Sequence, residues 1–107
     1  DASILGWYDY LYGDPAPADA LIREENPDMT PEQLAFSREK MKAYGIVDSG
    51  DALELGIGAM TDERWASFWE KTVDWGVHPA DMDYREAYVL DFVNQGVGLD
   101  LKAELTE

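Results

Sequence analysis

No cysteine occurs in these 107 residues, so the chain can hold no disulfide framework, no thiolate metal site and no thiol nucleophile. Basic residues are also scarce. Eight Lys and Arg stand against 23 Asp and Glu, a formal net charge of -15. The cations are scattered singly except between Arg38 and Lys42. Phosphate binding needs them clustered, which argues against nucleic acid as a partner. An anionic membrane surface would repel the chain for the same reason. No apolar run approaches the ~20 residues that cross a bilayer, so no membrane-embedded segment is expected. A basic, apolar, small-residue leader is missing too, and with Asp1 in place of an initiator Met the expectation is that Asp1 is an internal cut.

What is present suffices for folding. Hydrophobic residues make up 46% and aromatic residues 12% of the chain, including four Trp, six Tyr and three Phe. A single domain of this size buries somewhat over ~60% of its unfolded surface, and large rings supply that burial efficiently. The acidity has two readings: a solvated surface that favours solubility, or a store of charge for a basic partner or cations. The carboxylates fall on helix faces and at helix starts rather than in a tail, which favours the first.

Helical spacing recurs along the chain. Ile4, Leu5, Tyr8, Leu11 and Tyr12 share one face and end at Gly13-Asp14-Pro15. A second helix is expected to open near Pro17, to carry Ala20, Leu21 and Glu24, and to close at Asn26-Pro27. Thr30-Pro31-Glu32-Gln33 predicts a capping box, and Leu34, Met41 and Tyr44 continue its helix to a left-handed stop at Gly45. Ile46 to Met60 lacks a helical period and reads as a long connection, with a short extended piece at Ala52 to Leu55. Thr61 predicts the next cap, with Asp62 and Glu63 in the first turn, where the helix dipole favours acids. Trp65, Phe68, Trp69, Thr72 and Val73 form that helix's apolar stripe, and Gly76 ends it. Pro79 to Asp83 is a turn, Tyr84 to Asn94 is expected to be a fifth helix stopped near Gly96, and Leu101 and Leu105 give the tail weak helical spacing.

Few groups suggest chemistry. His78, close to Asp81 and Asp83, holds the residue types of a transition-metal site, but a single His on a turn is ordinarily a surface residue. Asp48, Asp51 and Glu54 lack the alternation and closing Glu of a calcium loop. Gly56-Ile57-Gly58 has neither the third glycine of a dinucleotide fingerprint nor the Lys of a phosphate loop. Ser3, Ser37, Ser49 and Ser67 stand outside any nucleophile-elbow context. Trp65, Phe68 and Trp69 suit stacking on a flat heterocycle, yet their spacing fits packing or a face that meets further lobes better. No catalytic, metal-binding or cofactor-binding residue is assigned.

The order of these parts resembles the closing segment of solute-binding proteins of ABC importers. The group is the NMT1/THI5-like one, related to pyrimidine-precursor, nitrate and sulfonate binders. The resemblance runs from about Gly6 to Val93. It is carried by Gly6-Trp7 leading to Asp14-Pro15, by Asn26-Pro27, and by the helix from Pro31. It continues in the Met60-Thr-Asp-Glu-Arg-Trp65 helix start, Gly76, Pro79 and the acidic-aromatic stretch Tyr84 to Phe92. Ala59, where the family often has a bulky aromatic, and the loop Ile46 to Leu55 depart from the pattern and leave the ligand class open.

The resemblance implies an all-α piece of about five helices, residues 1–98 followed by a tail at 99–107, taken from a two-lobed periplasmic-binding-protein fold. The whole protein would capture a small solute outside the cytoplasmic membrane and deliver it to an ABC permease. Binding, not catalysis, is its implied task, and the ligand residues would lie mostly outside this chain. Two rivals are a fragment of a pyrimidine-precursor synthase of the same fold and a free-standing acidic helical interaction module. A separated fragment is expected to self-associate through Trp65, Trp69 or the first helix at Trp7 and Leu11.

Overall fold

The chain is all-α. A computed structural model describes all 107 residues as six α-helices and one 3-10 turn, without a strand. The helices are α1 (Ala2–Tyr12), α2 (Ala16–Glu25), α3 (Pro31–Ala43), α4 (Ala52–Leu55), α5 (Asp62–Asp74) and α6 (Leu99–Leu105), with the 3-10 turn at Tyr84–Ala87.

Local chemistry explains most boundaries. Thr30 Oγ1 accepts the Gln33 N–H at 3.1 Å while Gln33 Oε1 accepts the Thr30 N–H at 2.8 Å, a complete capping box with Pro31 at the first helical position. Thr61 Oγ1 likewise accepts the Arg64 N–H at 3.2 Å. Both long helices end alike. Gly45 at φ +58° lets the Ile46 N–H reach back to the Met41 carbonyl, and Gly76 at φ +72° lets Val77 reach Thr72.

Two expectations need correction. Ala52–Leu55 is a helical turn rather than an extended piece, because the Gly50 and Asp51 carbonyls accept the Leu53, Glu54 and Leu55 N–H groups. The expected helix from Tyr84 to Asn94 is only a four-residue 3-10 turn, and Tyr88 is already extended at φ -147°, ψ 159°. The run Tyr88-Val89-Leu90 and Phe92-Val93 is rich in aromatic and β-branched residues, which gain little from a helix. Asn94 then turns left-handed at φ +64° and pins the segment, its side chain bonding both the N–H and the carbonyl of Met60.

The core lies around α1. Tyr8, fully buried, packs with Leu11 and Ile57, and Ile4, Tyr12, Met41, Val47, Leu99 and Leu101 close around them. The Tyr8 hydroxyl accepts the Ile57 N–H at 3.0 Å, so the one polar atom of that ring is satisfied. Residues 99–105 form α6 and pack directly on α1. Leu11, expected at a contact face, belongs to this core. The rest is open. Only 8 of 107 residues are buried, and the radius of gyration is 17.0 Å, against roughly 13 Å for a compact domain of this length. The molecule measures 47 × 34 × 22 Å, and α5 contributes no residue to the α1 core.

Candidate functional site

Seven of the 13 aromatic side chains lie on the arm formed by α5 and the segment folded back on it. The Trp65 and Tyr88 rings are parallel within 1° at a centroid separation of 4.4 Å. Trp69 stacks with Tyr84 at 5.4 Å and with His78 at 5.8 Å. Spacing on α5 places Trp65, Trp69 and Thr72 on the face toward these partners. Thr72 is buried and its hydroxyl donates to the Trp69 carbonyl at 2.8 Å. The Tyr88 hydroxyl donates to Asp62 Oδ1, and this bond, with the neighbouring charge, pushes the phenol up to about 12. Asp83 Oδ1 accepts the Arg85 N–H and so starts the 3-10 turn that presents Tyr84.

Two apolar hollows of about 250 Å³ each adjoin the arm, and a larger, more polar one of about 480 Å³ lies between Asp62, Glu63, Tyr84, Arg85 and Tyr88. One apolar hollow lies against Met60, Arg64, Trp65 and Phe68. The other lies against Trp65, Phe68, Trp69, Met82 and Tyr84, with His78 at its edge. Both are overwhelmingly apolar, and Phe68 remains 61% exposed between them. Such walls receive apolar side chains or flat rings. They supply no converging donors to orient a polar solute.

A second group of interest is buried beside the core. Asp48, its side chain 2% exposed, accepts the Tyr12 hydroxyl and the Lys102 ammonium through Oδ2, both at 2.6 Å. Burial and then this carboxylate push Tyr12 up to about 12. The arrangement clamps α6 and the 46–51 loop onto α1. Arg38 does similar work at the other end, bonding Asp19 at 2.6 and 2.8 Å while Tyr10 donates to the same carboxylate. These side chains serve the fold.

No family model matches the chain, and no curated protein or solved structure is significantly similar to it. Function must therefore be argued from the arrangement of side chains.

The candidates singled out in the sequence are dispersed. His78 lies against Trp69, and Asp83 is occupied as a turn cap. Asp48 is taken by Tyr12 and Lys102, and Asp51 stands at the start of α4. No three His, Asp or Glu side chains are grouped as a metal would need. Gly56, at φ +93°, approaches the Val97 backbone so closely that a Cβ would lie 3.2 Å from its carbonyl oxygen, which makes it a packing glycine. The Ser49 hydroxyl donates to the Gly45 carbonyl at 2.6 Å. The Trp65, Phe68, Trp69 stripe is the one candidate that the fold assembles. Its partners Tyr84, Tyr88 and Met82 were not singled out, since nothing local marks a residue that stacks across a turn. The Asp48–Lys102 pair was equally hidden by its separation along the chain.

Proposed function

We propose that this chain is the helical closing segment of the solute-binding component of an ABC importer, a binding rather than a catalytic protein that works outside the cytoplasmic membrane. The observation that carries the reading is the mismatch between covered and uncovered apolar surface. Thirteen large hydrophobic side chains are exposed, among them Phe36, Tyr44, Phe68, Trp75 and Phe92, while only eight residues are buried. Phe68 and Met82 line one hollow together with Trp65 and Trp69, so part of this surface is a continuous apolar patch of the kind that marks surfaces meant to be covered. The ordered motifs from Gly6-Trp7 to Tyr84–Phe92 support a larger two-lobed body as the cover. In that reading the solute is held between the lobes, and a permease receives it.

The same uncovered surface favours self-association of the separated chain through Trp7 and Phe68, once salt screens its charge of -15. Trp65 and Trp69 are half-buried against Tyr88, Tyr84 and His78. The test is calorimetry with nitrate, sulfonates and pyrimidine precursors on the 107 residues and on the longer protein of which they form the end. The longer protein is expected to bind one of them, and the 107 residues none. Micromolar binding by the 107 residues alone, or none by the longer protein, would refute the reading.

A further inference from the structure

Ion pairs are confined to one part of the molecule. Arg38–Asp19, Lys42–Glu39 and Lys102–Asp48 are the three, and none involves a residue between Ala59 and Asn94. That stretch nevertheless carries eight carboxylates against three cations. Its apolar surface is equally unpartnered, with Phe68, Trp75 and Met82 open to solvent. The two apolar hollows share Trp65 and Phe68, so these rings form a ridge with one hollow toward Met60 and Arg64 and the other toward Met82 and Tyr84.

We infer that the α5 arm docks a basic amphipathic helix. Two of its apolar side chains enter the hollows on either side of Phe68, and its Lys and Arg meet carboxylates of the arm that make no ion pair. The inference rests on the covering body proposed above and names the chemistry of the surface that covers this arm. Interfaces are anchored by Trp, Tyr and Met set in apolar pockets, and complementary charge fixes the partner around them. A second copy of this chain fits poorly at low ionic strength, because it brings the same excess of carboxylate to the same place. A small polar solute fits these two hollows poorly as well, because their walls are almost wholly apolar.

The probes are two synthetic amphipathic helices, one built of Leu and Lys and the other of Leu and Glu, titrated into the 107-residue protein at low salt with Trp fluorescence as the readout. The Leu/Lys helix is expected to bind and the Leu/Glu helix not. Phe68→Ser and Met82→Ser, both at solvent-open positions, should each weaken the Leu/Lys helix by roughly tenfold, the effect of losing one anchor. Unchanged affinity in both variants would mean undirected charge attraction and would overturn the inference. So would equal binding of the two helices, or binding of neither. Solute binding by the longer protein is a separate readout, so its survival alongside any of these failures would remove the docking chemistry and leave the proposed function standing.

Discussion

Replacing Gly98 by Ala isolates the contact that holds α6 on the core. Gly98 has φ +82°, and an added Cβ would lie 2.5 and 2.7 Å from the Tyr8 ring carbons Cδ2 and Cε2. Tyr8 has nowhere to go, since it is fully buried and its hydroxyl is engaged with the Ile57 N–H. Two costs then add. An L-residue in the left-handed region loses about 1–2 kcal/mol, and forcing extra volume into a packed site loses about 1–3 kcal/mol more. Gly58→Ala supplies the control, because Gly58 has φ +85° but nothing within 4 Å of the added atom. It should show the backbone cost alone. Urea denaturation followed by far-UV circular dichroism is the assay, with Gly98→Ala falling well below Gly58→Ala in midpoint. Together these losses are a large share of typical domain stabilities of about 5–15 kcal/mol. Equal midpoints for the two variants would refute the Tyr8 contact and the docking of α6 that depends on it.

Other perturbations address single interactions. Thr61→Ala should lower stability by about 1 kcal/mol through loss of its bond to the Arg64 N–H, and an unmoved urea midpoint would contradict the cap. Lys102→Met leaves the buried Asp48 carboxylate without its cation and should cost about 3–5 kcal/mol, with Asp48→Asn added to Lys102→Met recovering part of it in a double-mutant cycle. Tyr12 should titrate near 12 by phenolate absorbance alongside Tyr88, and Tyr12→Phe should remove one of the two late phenols and leave the other. Because the folded-state value is raised above the ordinary 10.0, the stability linked to Tyr12 is fully present below pH 10 and is lost as pH climbs from 10 toward 12. Thermal unfolding across that window should therefore fall less steeply in Tyr12→Phe than in the parent.

The helix ends could be read from the sequence because their chemistry is local. Thr30 with Gln33, Thr61 with Arg64, and the left-handed glycines Gly45 and Gly76 act across a few neighbouring residues, so the sequence order contains both partners. The apolar face of α1 was legible for a similar reason, since Tyr8 and Leu11 repeat at the helical period and both end in the core. The stripe on α5 could be seen, but not what covers it. Tertiary structure decided what becomes of Tyr84 to Asn94, where rings stack back on Trp65 and Trp69 and Asn94 grips Met60, contacts that no helical period encodes. It also decided that Asp48 is a buried anchor rather than a surface acid, because Tyr12 and Lys102 reach it from distant parts of the chain. Gly98 owes its identity to Tyr8, a ring ninety positions earlier that only folding brings into contact.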